Sequence, residues 1–241
     1  MVSLDAVGLL DLWSRGQGLS LPEQALVFCS AAQPDAPLSD LAALPVGRRD
    51  LAIIELRRAA FGAALSLSAA CPLCEEMVQF ALDTADLLAA NPDEDTEVHQ
   101  LDHGGWRLSF RLPTAGDLLH VAGAPDAGDR LLARCVLDVS HEGAPAQPGD
   151  LPEDVIEALT ARVEQLDPLA QVDLNLECPA CGHQWTATFD AVSTFARELD
   201  AWAAATMREV DALARGYGWT ETEVLTLSPA RSRFYLGLVQ P

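Results

Sequence analysis

Apolar positions change period several times along the chain. In the first 65 or so residues they recur at helical spacing. Leu9, Leu10, Leu12 and Trp13 end a first helix before Gly16, and Ser20-Leu21-Pro22-Glu23 opens a second, with proline in the first turn where its missing N–H costs nothing. Gln33-Pro34-Asp35-Ala36-Pro37 reads as a loop, and Leu51, Ile54, Arg57 and Arg58 carry a further helix from Asp50 to Phe61. Strand text then begins near Ala64-Leu65-Ser66-Leu67 and resumes through Met77, Phe80 and Leu82. Asn91-Pro92-Asp93-Glu94-Asp95 reads as a turn, and Trp106, Leu108, Phe110 and Leu112 alternate as a half-buried strand. Helical text is expected from Asp117 to about Leu137, a loop from His141 to Asp150, and a helix from Pro152 to Leu166. Val172, Leu174 and Leu176 alternate into a second strand pair that leaves through Trp185, Ala187 and Phe189. A long helix with one apolar stripe (Phe195, Leu199, Trp202, Val210, Leu213, Tyr217) follows and ends at Gly216 and Gly218. Thr220-Glu221-Thr222-Glu223 has capping-box spacing, and Ser228-Pro229 starts a last short helix ending near Leu238.

The two strand pairs enclose the same motif, Cys71-Pro72-Leu73-Cys74 and Cys178-Pro179-Ala180-Cys181. A two-residue gap lets both sulfurs of one turn face a common point, and two such turns complete a tetrahedral thiolate site. Placing Cys71 on Cys178 also places Leu82-Asp83 on Phe189-Asp190 and Leu87 on Thr194, so strand, knuckle, strand and helix form an internal repeat. The expectation is one structural zinc held by Cys71, Cys74, Cys178 and Cys181, closed to substrate. Two separate sites completed by His or Asp, or metal-free or redox-active dithiols, are the alternatives. Gly182 and the strand text at Trp185-Thr186-Ala187 argue against a redox motif, which usually opens a helix. The fold class expected is α+β, mainly helical, with a zinc-ribbon-like β core. Its divisions are an N-terminal helical segment (1–63), a segment holding both knuckles (64–190), and a C-terminal long helix with a short helix pair (191–241), together one compact unit.

Composition narrows the function. With 49% hydrophobic and 21% charged residues the chain reads as globular. No run of about 18 apolar residues suggests a membrane span, and the opening Met1-Val2-Ser3-Leu4-Asp5 lacks the features of a secretory signal, so a cytoplasmic location is expected. A net charge of −21, with arginine as the sole side-chain cation besides histidine, disfavours nucleic acid as a partner. The doublets Arg48-Arg49 and Arg57-Arg58 read as ion-pairing positions on a helix rather than a phosphate site. Cys29 and Cys135 lie in apolar helical text and read as core.

Catalytic constellations are missing. There is no Gly-rich phosphate loop, no GxSxG and no HExxH, and His99, His103, His120, His141 and His183 have no credible nucleophile beside them. His183 follows Cys181 closely, but four thiolates already satisfy zinc, so it is expected in solvent. The carboxylates read as solvated, with no pair forced together in an apolar setting. No enzyme is expected. Tyr217, Trp219, Phe234 and Tyr235 admit two readings. Aromatics at helical spacing are more often core, yet a terminal helix pair is a reasonable docking element. Trp219, Leu225, Arg231 and Tyr235 are the candidate partner-binding residues.

Several segments together resemble the baseplate (hub) assembly proteins of T-even phages, encoded with contractile phage tails and phage-tail-like injection systems. The resemblance rests on Leu44-Pro45-Val46-Gly47-Arg48-Arg49-Asp50 with Leu56-Arg57 and Phe61-Gly62, both knuckles, Arg111-Leu112-Pro113-Thr114 with Asp117-Leu118, Leu131-Leu132-Ala133-Arg134-Cys135, and the ending from Tyr217-Gly218-Trp219 to Tyr235-Leu236. Glu75 departs from the family pattern, standing where a glycine commonly follows the second cysteine. The resemblance implies an assembly factor or structural adaptor of a baseplate, with baseplate, spike or tube proteins as partners. A zinc-ribbon module binding another protein or a nucleic acid is the alternative.

Overall fold

The computed structural model of the chain describes residues 5–89 and 98–239. The expected turn at Asn91–Asp95 lies outside the described residues. Four helices come first: α1 (Ala6–Gly16), α2 (Leu21–Ala32), α3 (Leu38–Ala43) and α4 (Val46–Phe61). The Asp5 carboxylate accepts from Gly8 N at 2.9 Å to cap α1, and Ser20 with Glu23 forms the capping box of α2. A hairpin of β1 (Ala64–Ala70) and β2 (Met77–Asp83) follows, leading into α5 (Thr84–Leu88). Its counterpart is β7 (Val172–Glu177) with β8 (Gln184–Phe189), leading into α9 (Ala191–Tyr217). The internal repeat is therefore present as strand, knuckle, strand, helix. Asp83 and Asp190 occupy equivalent N-caps, accepting from Ala85 N and Ser193 N.

Between the hairpins, β3 (His99–His103), β4 (Trp106–Phe110), β5 (Val136–His141) and β6 (Ala144–Pro145) form an antiparallel sheet in sequence order. Of the helices here, α6 (Ala115–Val121) packs on α2, α3 and α7 (Ala127–Cys135), α7 also packs on β5, and α8 (Glu153–Leu166) packs on β3. The expected helix from Asp117 to Leu137 is corrected here. It is two helices broken at Gly123, whose φ of +74° no helix accommodates, and its end is strand. Val136 and Val139 face inward because β5 pairs with β4, a long-range contact that local spacing does not encode.

The largest core draws on Leu12 of α1, Phe28 of α2, Ile53 of α4, Leu65 of β1, Leu87 of α5, and Phe195 and Leu199 of α9. Phe28 and Phe195 meet edge to face at 4.9 Å. A second core joins Leu108 and Phe110 of β4 to Val139 of β5 and Val155 of α8. The open ends of both hairpins pack against the first core through Leu67, Leu82, Val172 and Phe189. Arg57 of α4 reaches Glu198 of α9 with two parallel hydrogen bonds of 2.8 and 2.7 Å, and donates to Gly62 O at 2.6 Å. The chain ends in α10 (Glu221–Leu225) and α11 (Pro229–Val239), both packed on α9. No helix among the described residues is long and apolar enough to cross a membrane.

Candidate metal centre

Each knuckle is a tight turn built by the backbone before any sulfur is considered. Glu75 N donates to Cys71 O and Cys71 N to Glu76 O, both at 2.9 Å; Gly182 N donates to Cys178 O and Cys178 N to His183 O, again at 2.9 Å. Every residue in the second set stands 107 positions beyond its counterpart, so the repeat holds at the level of single hydrogen bonds. The residue after the second cysteine has positive φ in both turns, +62° at Glu75 and +72° at Gly182.

The two turns meet. Cys71 and Cys181 sulfurs are 3.7 Å apart, Cys74 and Cys178 sulfurs 3.6 Å, and all four lie within 4.8 Å of one another. A tetrahedron of sulfurs with metal–sulfur bonds of about 2.3 Å has edges of about 3.8 Å, so the observed separations suit zinc. The cluster has an inner half, Cys71 and Cys178, and an exposed half, Cys74 and Cys181. Val78 is buried with it, and Trp185 packs alongside. Burial opposes ionisation of Cys71, but N–H groups of Cys74 and Leu73 and the neighbouring sulfurs bring its thiol down to about 7. Cys74 accepts from Glu76 N–H, yet sharing hydrogens with Cys181 and Cys178, together with burial, pushes it up to about 12. Close-packed thiols resist joint deprotonation, and a bound cation removes that conflict. Four thiolates form a closed set, suited to bracing rather than to activating a substrate.

His183 stands outside the cluster, half-buried and stacked on Trp185 with ring centroids 6.3 Å apart. His103 lies 3.6 Å from Asp154, and His141 stacks on Trp106 at 4.5 Å. Cys29 and Cys135 are buried, as their apolar surroundings predict, and burial pushes their thiols up to about 12 and about 11.

Trp219 and Tyr235 lie together at the C-terminal end, ring centroids 4.9 Å apart, with Tyr217 stacked on Trp219 at 4.6 Å. Leu225 is half-buried and Arg231 exposed. The aromatics thus form a local cluster between the end of α9, the link that follows it and α11, and none of them is in the main core.

Buried charge is what spacing did not reveal. Arg49 and Asp50 pair at 2.7 Å, both within the interior, at the start of α4. The expectation of wholly solvated carboxylates is corrected at this point. Burial raises Asp50 to about 7 against the pull of Arg49, and the Asp190 and Asp167 carboxylates add to the rise. Asp167, also buried, accepts from Gly47 N at 2.9 Å, and a Cβ at Gly47 would collide with its carboxylate. The two segments Leu44–Asp50 and Arg111–Asp117 join here. Val46 N donates to Pro113 O and Ala115 N to Leu44 O, both at 3.0 Å. Asp117, 1% exposed, accepts from Arg111 Nη2 at 3.0 Å, Arg134 Nε at 2.7 Å and Thr114 N at 3.0 Å. Burial disfavours its charge, but these donors outweigh it and hold the carboxyl well below the usual range. Asp117 carries a local signal, the capping box it forms with Thr114, but its burial and that of Asp50 and Asp167 come from packing that spacing does not encode.

No curated protein and no solved structure matches the chain. A family model does, over residues 29–196, a stretch that contains both knuckles and both segments of the buried charge junction. By that match, which spans more than half of its length, the chain belongs to the family described as T4 bacteriophage base plate protein.

Proposed function

We propose that the chain is a non-enzymatic assembly factor or structural adaptor for the baseplate of a contractile phage-tail-like injection apparatus, braced by a structural zinc. The family match over residues 29–196 carries the reading. The sulfur cluster supports the zinc: Cys71, Cys74, Cys178 and Cys181 are four soft donors at tetrahedral spacing, and their coordination leaves no open position for a reactant. Bound there, zinc supplies cross-linking, fastening two hairpins from distant parts of the chain into one zinc-ribbon-like body. Partners on this reading are baseplate, spike or tube proteins, met in the cytoplasm where particles are built. Nucleic acid is disfavoured by a charge of −21 and by arginines already engaged with carboxylates, among them Arg49, Arg57, Arg111 and Arg134.

The test is deletion of the gene followed by electron microscopy of the particles. Tails lacking a complete baseplate are expected, restored by the wild-type chain and not by Cys71→Ser/Cys178→Ser. Normal particles from the deletion strain would overturn the proposal.

A further inference from the structure

The sequence from Val224 to Val239 contains no acidic side chain and two arginines, Arg231 and Arg233, in a chain of net charge −21. Within it, α11 lies along α9. Val239 sits against Gly216, where an added Cβ would collide with it; Ser232 Oγ reaches Glu209 Oε2 at 3.3 Å; and Tyr217 Oη donates to Tyr235 O at 3.4 Å. The residues turned inward, Ser232, Tyr235, Leu236 and Val239, are half-buried and follow helical spacing, and none of α11 is fully buried. The other side is apolar as well. Phe234 is 66% and Leu238 63% exposed, one turn apart, with Arg231 one turn before Phe234 and Arg233 at the edge.

A surface helix normally buries one apolar stripe and shows water a polar face. Here α9 covers one side and leaves two large apolar side chains exposed on the other, and the only charged side chains that α11 itself contributes are Arg231 and Arg233. Exposed apolar surface of this kind marks a binding face. The charges select the occupant. Two copies of a chain at −21 repel over distance, as would an anionic lipid surface, whereas the local charge of α11 suits carboxylates on a different protein.

We propose that the outer face of α11, formed by Arg231, Phe234 and Leu238 with Arg233 at its rim, docks as a helix into an apolar groove edged by carboxylates on another protein. This deepens the baseplate reading and rests on it for the partner's class, a baseplate, spike or tube component. Trp219 and Tyr235 then act from behind, holding α11 against α9 through their ring contact.

The full chain is titrated calorimetrically against each purified baseplate, spike and tube protein of its particle. The variants are Phe234→Asp/Leu238→Asp and Arg231→Glu/Arg233→Glu, exposed positions whose change leaves the circular dichroism and melting point of the fold intact. One component is expected to bind the wild type. The apolar double variant weakens that binding at least about thirtyfold, and the charge reversal weakens it about tenfold at low salt and inverts its salt dependence, because screening then relieves a repulsion. Unchanged affinity in both variants overturns the docking face and leaves the baseplate role standing. A loss confined to the apolar variant overturns the acidic rim. A wild-type chain that binds none of the components overturns both readings. Self-association by light scattering, or binding to vesicles of phosphatidylethanolamine and phosphatidylglycerol, abolished by Phe234→Asp/Leu238→Asp, would name a different occupant and overturn the proposal.

Discussion

Glu75→Gly should stabilise the protein, and the internal repeat supplies its control. Glu75 and Gly182 close equivalent turns at φ +62° and +72°, each donating its N–H to the first cysteine of its knuckle at 2.9 Å. An L-residue in this region costs about 1–2 kcal/mol, and glycine returns about 0.5–1 kcal/mol of that as chain entropy lost on folding. The net gain is about 0.5–1 kcal/mol. The Glu75 side chain is exposed, so no packing is forfeited, and one carboxylate leaves the neighbourhood of four sulfurs. Gly182→Ala is the mirror image. A Cβ there meets nothing within 4 Å, so no clash adds to the backbone strain, and after the entropy that alanine recovers the loss is about 0.5–1 kcal/mol. In a chain of this size 1 kcal/mol moves the melting point by about 2–4 °C. Calorimetry of zinc-loaded protein should thus show Glu75→Gly rising and Gly182→Ala falling, each by roughly 1–4 °C. Competition with a chromophoric chelator should show zinc leaving more slowly from the first and faster from the second. A Gly182→Ala protein as stable as wild type would refute the reasoning, because the turns would then not require a left-handed residue.

Purified protein should carry one zinc per chain by elemental analysis, and none after Cys71→Ser/Cys178→Ser; two per chain, or none in wild type, would contradict a shared site. Removing the metal opens a link between segments about 107 residues apart, a chain-entropy loss on the order of 5 kcal/mol. Hydrogen exchange should rise first at the knuckle ends of β1, β2, β7 and β8, with α2, α4 and α9 still protected. Asp50 has a folded pKa raised to about 7, so the native state binds its proton more tightly than the unfolded chain does. That contribution is fully present below the unfolded value of about 3.9 and is lost as pH rises toward 7. The stability difference between wild type and Asp50→Asn should therefore shift against wild type by on the order of 2–4 kcal/mol from pH 4 to pH 8; a flat difference in denaturant titrations would disprove the shift. Asp117 has the opposite sign, its stabilisation being present above the unfolded carboxylate range and lost on acidification. Asp117→Ala should cost about 2–4 kcal/mol at neutral pH by stranding Arg111 and Arg134, and denaturant midpoints test it.

The knuckles were legible because their ligand spacing is local and their flanking strands alternate without help from the rest of the chain. Capped helices were legible for the same reason, as at Ser20 and Thr220, where the box closes within three residues. Pairing decided the rest. Val136-Leu137-Asp138-Val139 continues an apolar helical run, and only β4 alongside makes it strand. The hairpin of β3 and β4 went unread although Gly104-Gly105, at φ +56° and +83°, is a two-residue turn of the kind that joins antiparallel strands. Short α3 carried too little periodicity to register. Arg49, Asp50, Asp117 and Asp167 look like surface residues in the sequence and are interior in the fold, where Asp167 is met by Gly47 from 120 positions away while Asp117 is held by Arg111, Thr114 and Arg134 within 17.

The repeat also explains how the proposed metal brace and the proposed docking helix can belong to one rigid object. Two-stranded hairpins are marginal alone, and here each is anchored at its open end by the main core and at its tip by little besides the sulfur cluster. The second hairpin runs into α9 through the Asp190 cap. At 27 residues that helix is about 40 Å long. Its first turns are fixed in the core by Phe195 and Leu199, pinned to α4 by Arg57–Glu198, and tied to α1 where Trp13 Nε1 donates to Asp200 at 2.7 Å. Its last turns carry α10 and α11. The knuckles are thus joined to the start of α9 through one short strand, β8, and to α11 only through the length of that helix. Because the anchors in the core, on α4 and on α1 hold α9 independently of the sulfurs, removing the metal should leave partner binding through α11 within about twofold in calorimetric titration, whereas a large loss would show that the knuckles position the helix.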